Sequence, residues 1–385
     1  MLNILYVFGG EKASGAEKVI ERLINHNLEV VKPHLFVAPG SYADELVSRN
    51  GDIKITIVNP LKKLNRSSSA KFTFFWQAIT NNLKVAAQVI KYINRNQIDI
   101  VHANTIVPAF YLIPAVTYFK VFNKKIKFIW SDHDLKYFSA FENKLAQLAF
   151  KIFDRTLVVS DAVKAKYANS KKVLTLYNGI NLSEFTPNET SKNLFRTKHG
   201  FTEHQIVIGL AGTIEPRKGQ LQLIKIFENL NKTSPEARLV LAGPPSADHQ
   251  QYVNEVLNAV NSDLHVTYLG KISDMPEMYN GCDILINNSN LTGSEPLGTT
   301  IYEAMAIKKI VIASNTGGSP EIITDNTDGY LFECNDQNAL LKKLEYVIGN
   351  FSYLNHVREH AREKVFRKFN IDTMTDQYNS ILSSF

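Results

Sequence analysis

Short apolar runs alternate with longer amphipathic ones along most of the chain, and this rhythm restricts the fold more than any single motif does. Residues 3–7 form an apolar run followed by a helical pattern from about Ser14; 98–101 is followed by 107–122, 127–130 by 141–153, and 156–159 closes the series. A second series runs 206–210, a helix from about Lys218, 238–241, a helix near 252–260, 266–269, 283–286, a helix from about Leu297, and 309–313. Strands alternating with helices build parallel sheets covered on both faces. The chain has 385 residues, and single cores stop growing at ~250–300 residues, so two doubly wound α/β domains are expected. Ligands of such sheets bind outside the carboxyl ends of the strands, which directs attention to the loops there, and two such sheets facing each other would form a cleft.

Composition removes several other classes. Apolar residues make up 44% and charged ones 21%, the balance of a globular chain. Cys282 and Cys334 are the only cysteines, with no CxxC spacing, so neither a disulfide framework nor a structural zinc site is expected. The amino-terminal segment lacks the pattern of a secretory signal, which makes cytoplasmic residence the expectation. The longest apolar stretch, 106–119, contains Pro108 and Pro114 and falls short of the ~20 residues a bilayer span needs, so it reads as a buried helix. Residues 1–187 carry 25 Lys+Arg against 14 Asp+Glu, whereas 188–385 carry 18 against 23. The basic half is expected to face something anionic: phospholipid, nucleic acid or a phosphorylated acceptor.

Three segments after strands carry candidate chemistry. In Gly9-Gly10-Glu11-Lys12-Ala13-Ser14-Gly15-Ala16-Glu17, Ser14 and Glu17 fit a capping box, and Gly15 with Ala16 forms a first helical turn open to close approach by an anion or a sugar. The segment lacks the GxGxxG of dinucleotide binding. In Gly212-Thr213-Ile214-Glu215-Pro216-Arg217-Lys218-Gly219, an adjacent Arg and Lys at a helix start suit a diphosphate, without the spacing of a P-loop. The third runs from Asn287 to Ala306. Glu295 precedes a helix start, Glu303 lies about two turns on, and the amides of Leu297, Gly298 and Thr299 between them suit phosphate and sugar oxygens. A capped helix, a surface basic pair and two ordinary acidic residues are the structural alternatives for these segments.

Glu295 and Glu303 with seven residues between them, then Ala304-Met305-Ala306 and later Gly317-Gly318-Ser319-Pro320-Glu321-Ile322, resemble the E-x7-E signature of the retaining glycosyltransferases of family 4, which have the GT-B fold. Gly15-Ala16-Glu17 is similar to that family's glycine loop, Asp99-Ile100-Val101-His102 to its D-x-V-H strand end, and His133-Asp134 to its H-D or H-G turn. Asp154 to Ser160 and Tyr177-Asn178-Gly179-Ile180 with Phe185 continue the match up to the linker between the domains. The resemblance implies an acceptor-binding Rossmann-like domain over 1–187, rejoined by a crossover helix in 366–385, and a nucleotide-sugar domain over 188–365. It also implies roles. Glu303 would hold the donor ribose, Glu295 with residues 297–299 the transferred sugar, and Arg217 and Lys218 the diphosphate leaving group without a metal or other cofactor. His133 would reach the donor sugar from across the cleft, and Gly15 would lie near the diphosphate. His102 and Asp134 fall on the acceptor side, with a structural role as the alternative for His102; read from the residues alone, Asp132 and Asp134 flank His133 to fix its orientation or its charge, with a solvated turn or a helix cap as the alternative for either. The sequence departs from the family where Thr213 stands in place of the usual Arg, and Arg217 is the candidate to replace that charge. Base recognition is expected near residues 271–273.

Lys62, Lys63, Arg66 and Lys71 surround Phe72, Phe74, Phe75 and Trp76, a pattern that fits either an anionic membrane surface on the inner face or a core cluster with a solvated rim. Lys120, Lys124, Lys125 and Lys127 form a second basic group. No helix-turn-helix, zinc-finger or RNA-binding signature is present, so nucleic acid is set aside. The expected activity is transfer of a hexose, with retention, from a nucleotide diphosphate sugar to a saccharide or lipid-linked acceptor, in surface polysaccharide or lipopolysaccharide synthesis. A nucleotide-sugar-binding protein without transferase activity and a nucleotide-sugar epimerase are the alternatives.

Overall fold

A computed structural model gives the architecture. It describes residues 1–49, 51, 53–61, 71–122, 124–137, 139–168, 170–290 and 295–385, the side chains of 71–75 excepted. The chain divides into two compact units, Met1–Gly179 with Ile371–Phe385, and Ile180–Asn370. In the first, β1 (Leu2–Phe8), α1 (Gly15–His26), β2 (Val31–Val37), α2 (Ser41–Arg49), β3 (Lys54–Ile57), α3 (Lys71–Asn96) and β4 (Ile100–Asn104) come in turn. They are followed by α4 (Ile106–Val121), β5 (Lys127–Asp132), α5 (Ala140–Ile152), β6 (Arg155–Val158), α6 (Asp161–Lys164) and β7 (Val173–Thr175). The second unit begins with α7 (Glu189–Lys198), β8 (Ile206–Ala211), α8 (Gln220–Leu230), β9 (Ala237–Ala242), α9 (Gln250–Asn261), β10 (Val266–Tyr268) and α10 (Met275–Gly281). It continues through β11 (Ile284–Asn287), α11 (Thr299–Ala306), β12 (Ile310–Ser314), α12 (Ser319–Ile322), β13 (Tyr330–Phe332), α13 (Gln337–Gly349) and α14 (Asn355–Lys368), before α15 (Ile371–Ser383) returns to the first.

The first sheet has seven strands in the order β3-β2-β1-β4-β5-β6-β7 and the second six in the order β10-β9-β8-β11-β12-β13. Neighbouring strands run parallel, for example Tyr6 beside His102 and Ile284 beside Ile208. In each sheet the order reverses once, between β1 and β4 and between β8 and β11, and such reversals open the crevice where ligands of open sheets bind.

Each unit has its own core. Ile208, Leu223, Phe227, Leu239, Ile310 and Leu344 fill the second. The first packs Ile4, Tyr6, Ile20, Leu23 and Leu35 against Ile371, Met374, Tyr378 and Leu382 of α15, so the returning helix is part of that core. Asn27 and Asn379 exchange side-chain hydrogen bonds of 2.8 and 3.0 Å, and His26 meets Asp372 at 2.7 Å. The segment 106–119 is the buried helix expected, with Ala109, Leu112, Ala115 and Val116 at 0% exposure. No described helix is long and apolar enough to cross a membrane.

The boundaries differ from those read in the sequence. The chain passes between units at 179/180 and 370/371, not at 187/188 and 365/366. Within the second unit Ile180 pairs with Asn370, its N–H donating to Phe369 at 2.9 Å, and Phe185 packs 6.4 Å from Tyr279, which ties residues 180–187 to that core. The end of α14 stays there too, because Lys364 bonds Asp328 at 2.8 Å and Phe369 stacks 5.0 Å from Tyr302.

Candidate functional site

The reversal between β8 and β11 gathers the charged residues of the second unit. After β8 the chain turns through Gly212, with φ 155°, and a single 3-10 turn over Pro216–Lys218, and then enters α8 through Gly219, with φ 66°. Arg217 and Lys218 therefore sit on the turn before the helix, not in its first turn. Gly219 is needed on two counts: its positive φ, and the 2.7 Å that would separate a Cβ from the Asn288 carbonyl. The turn is clamped from the β11 loop. The Asn288 Nδ2 donates to Gly219 O at 2.9 Å, Asn290 Nδ2 to Pro216 O at 2.8 Å, and the Asn290 N–H to Arg217 O at 2.9 Å. The 287–290 run thus holds the basic turn in place, a role its sequence did not reveal.

Onto this turn the β11–α11 connection brings Glu295. Lys218 Nζ donates to Glu295 Oε2, Arg217 Nη1 stands 3.8 Å from the same oxygen, and Ser289 Oγ donates to it at 3.3 Å. Arg217 Nε also pairs with Glu215 at 2.6 Å. Burial pushes the Glu295 carboxyl up, but Lys218 and then Arg217 outweigh it and leave its pKa below the usual carboxylate value. The side chains of Lys218 and Glu295 are 12% and 15% exposed, and that of Arg217 is 37% exposed, so the cluster is partly shielded yet open to a ligand. Gly318 N–H donates to Glu295 O at 2.9 Å, and a Cβ there would lie 2.5 Å from Pro296 O, so the 317–318 turn presses directly on the loop that carries Glu295.

Leu297, Gly298 and Thr299 lead into α11, and a Cβ at Gly298 would lie 2.7 Å from the end of the Ile301 side chain, which would have to shift. Glu303 Oε2 accepts from the Tyr279 hydroxyl at 2.8 Å, a phenol wholly buried in the unit's core. Residues 291–294 of this motif lie outside the described residues.

The reversal in the first unit is built differently. Ser14 and Glu17 form the expected capping box at the start of α1, and Gly15 is exposed with nothing within 4 Å of a Cβ position. At the end of β4, Thr105 takes a φ of 75°, a strained conformation for a β-branched residue, held by its N–H to Ser131 O at 3.0 Å and by Trp130 Nε1 to Thr105 O at 3.1 Å. That turn sets Asn104, 2.8 Å from His133 Nε2, with Asn104 Nδ2 buried and without a partner. Sequence reasoning passed over Asn104; its place at a strand end two residues beyond His102 was the available signal. Burial pulls the His133 pKa down to about 4 against a smaller upward pull from Asp132, so its imidazole is neutral at pH 7.

Two expectations for the first unit are corrected. His102 is not on an acceptor surface: it is wholly buried, with Nδ1 2.9 Å from the Tyr378 hydroxyl and Nε2 2.7 Å from Ser131 Oγ, and burial pulls its pKa to about 3. Of the two roles expected of Asp132 it keeps the one through charge, raising the His133 pKa, while its hydrogen bonds go elsewhere than the ring. It accepts from Tyr137 at 2.6 Å, from Tyr167 at 2.5 Å and from Lys166 at 2.5 Å, while the Asp134 N–H donates to it at 3.1 Å and the Asp134 carbonyl accepts from Lys166. Asp132 and Lys166 thus fix the backbone around His133. Lys62, Lys63, Arg66 and the side chains of Lys71, Phe72, Phe74 and Phe75 lie outside the described residues, and Trp76 on α3 is 52% exposed.

Comparison with known proteins bears on the family and the fold. Residues 191–364 match the family described as Glycosyl transferases group 1, and residues 13–184 match Glycosyltransferase Family 4. The chain belongs to the family 4 type of GT-B glycosyltransferases. Among curated relatives, a GDP-mannose-dependent monoacylated alpha-(1-6)-phosphatidylinositol monomannoside mannosyltransferase of Corynebacterium glutamicum is 28% identical over 54% of this chain and 55% of its own. The N-acetyl-alpha-D-glucosaminyl L-malate synthase of Bacillus anthracis is 21% identical over 78% of each. The chain spans about half the length of several curated relatives that it matches, 53% and 54% in two from Bacillus subtilis. The solved structure of Anabaena HepE in complex with UDP superposes over 100% of both chains with a TM-score of 0.83 at 20% identity. Sucrose-phosphate synthase from Thermosynechococcus elongatus does so over 100% of this chain and 99% of its own, with a TM-score of 0.81 at 16% identity. At these identities the likeness is one of fold.

Proposed function

We propose that this family member transfers a hexose, with retention at the anomeric carbon, from a nucleotide diphosphate sugar to a saccharide or lipid-linked acceptor in the assembly of a bacterial surface polysaccharide such as a lipopolysaccharide. The observation that carries the reading is the Arg217–Lys218–Glu295 cluster at the β8/β11 reversal, with Glu303 farther along α11. A diphosphate entering there would exchange with Glu295 as the partner of Lys218 and Arg217, releasing the carboxylate toward sugar hydroxyls. The two cations would then stabilise the charge that builds on the leaving nucleotide, the work a metal does elsewhere, so metal independence is part of the proposal. The Glu303 carboxylate is fixed by Tyr279 and is offered to the ribose. Leu297, Gly298 and Thr299 would present amides to the donor, and Arg217 would supply the charge that Thr213 does not. Gly15 and neutral His133, set by Asn104, are assigned to the donor as well, and Asp134 to the acceptor side. HepE, crystallised with UDP-glucose, is similar in fold and makes a nucleotide sugar the first donor class to try.

We also assign the protein to the cytoplasmic face of a membrane, with Lys62, Lys63, Arg66, Lys71 and Trp76 as the docking residues. To test the transfer reading, the purified protein is incubated in EDTA with α-linked nucleotide sugars and a panel of simple hexoside acceptors, and products are read by proton NMR. An α-linked product is expected; a β-linked product, or an epimerised donor in the absence of acceptor, overturns it.

A further inference from the structure

The end of the first sheet away from the candidate site holds a second concavity. A cavity of about 520 Å³ opens where β1, β2 and β3 begin, lined among others by Lys32, His34, Lys54, Arg95 and Asn96, with Leu28 and Ile53 as apolar members of the lining. Three cationic side chains face it, and no acidic residue is in its described lining. Lys54 is held in position, its Nζ 2.8 Å from Asn96 Oδ1 and 5.2 Å from the centre of the Tyr92 ring.

Independently of the charges, His34 is 5% exposed and its Nε2 is buried with no partner. Its Nδ1 lies 2.9 Å from the Tyr92 hydroxyl. Burial, then Lys54 and Lys32, hold its pKa below the usual histidine value, so the ring is neutral at pH 7 and carries a single N–H. With the tyrosine hydroxyl donating to Nδ1, that N–H is on Nε2, which lies beneath the lining of the cavity with no accessible surface of its own. Three like charges around one hollow repel each other, and an anion relieves that repulsion.

We propose that this cavity binds a phosphate group, either free in a small phosphorylated molecule or carried on a lipid headgroup, with Lys32, Lys54 and Arg95 as the charged rim and the His34 ring beneath them as its reporter. It does not depend on the transferase reading, since it lies at the opposite ends of the strands of the first sheet.

The test is a titration of 15N-histidine-labelled full-length protein with inorganic phosphate and with pyrophosphate at constant ionic strength, following the His34 Nε2 resonance. Sedimentation with phosphatidylglycerol and phosphatidylcholine vesicles runs in parallel. A saturable His34 shift, weakened about tenfold in Lys54→Gln and in Arg95→Gln but not in Lys225→Gln, supports the site and names a soluble phosphate. Binding to phosphatidylglycerol alone, lost in the same two variants, supports it and names a headgroup. If His34 does not respond to either anion and vesicle binding is the same in wild type and Arg95→Gln, the proposal is overturned. A shift matched by chloride overturns it as well.

Discussion

The second unit places Arg217, Lys218, Glu215 and Glu295 where β8 and β11 part, in ion pairs whose side chains are 12–37% exposed. The first unit places Asn104 and His133 where β1 and β4 part, with His102 beneath them, uncharged at neutral pH and bonded to the protein itself. The same topological feature is therefore built in two ways. Partly shielded charges paired with one another are ready to be re-paired with a charged ligand, at little net cost when one anion replaces another. A neutral buried network has no such exchange to offer except at its rim, and it serves chiefly to hold its own loops and the returning helix α15.

The largest effect that would break this contrast is expected from Lys218→Ala. Among the described residues Glu295 would keep Arg217 at 3.8 Å and Ser289 as partners, and the loss is expected to be about 2–4 kcal/mol in urea unfolding, below that of a fully buried pair because both side chains retain some exposure. Lys218→Met with Glu295→Gln should recover most of the stability and none of the nucleotide affinity. Next comes Glu303→Ala, expected to weaken nucleotide-sugar binding by about 1.5–3 kcal/mol in calorimetry, the worth of a charge-assisted hydrogen bond; unchanged affinity would remove the ribose assignment. Tyr378→Phe strips His102 Nδ1 of its partner and is expected to cost about 1–2 kcal/mol of stability with nucleotide affinity untouched.

The smallest change at any one pH sharpens the comparison from the other side. His133 and His102 titrate in the folded protein at about 4 and about 3, below the ordinary 6.5. Their contribution to stability is therefore complete above about pH 6.5 and is lost as pH falls toward 4, because the unfolded chain takes up protons first. His133→Asn should flatten the slope of melting temperature against pH across that window, and in an assay should lower turnover more than nucleotide affinity.

What could be read in the sequence was whatever a local pattern encodes. Ser14 and Glu17 specify a cap through three-residue spacing, 106–119 is apolar all round and is buried, and the positions of Glu295 and Glu303 followed from where α11 begins. Residues 31–57 gave no strand pattern, because β2 contains Pro33 and β3 is short and half exposed; Pro33 is tolerated since pairing of β2 with β3 begins only at His34. What stayed hidden depends on partners distant in sequence. The clamp of Asn288 and Asn290 on the basic turn, the pressure of Gly318 on Pro296, and the capture of Asp132 by Tyr137, Lys166 and Tyr167 join segments that no spacing relates. For the same reason the flanking of His133 by two aspartates did not reveal that Asp132 acts through the backbone and through its charge, not by a hydrogen bond to the ring.

The central claim is that the charged cluster of the second unit binds the donor without a metal. Titration calorimetry of the purified protein with UDP, GDP, ADP and their common sugar conjugates, in EDTA, tests it most directly. The account predicts selective micromolar binding of one nucleotide series, abolished in Lys218→Met/Glu295→Gln; binding that appears only when a divalent cation is restored, or that survives in the double variant, would contradict it.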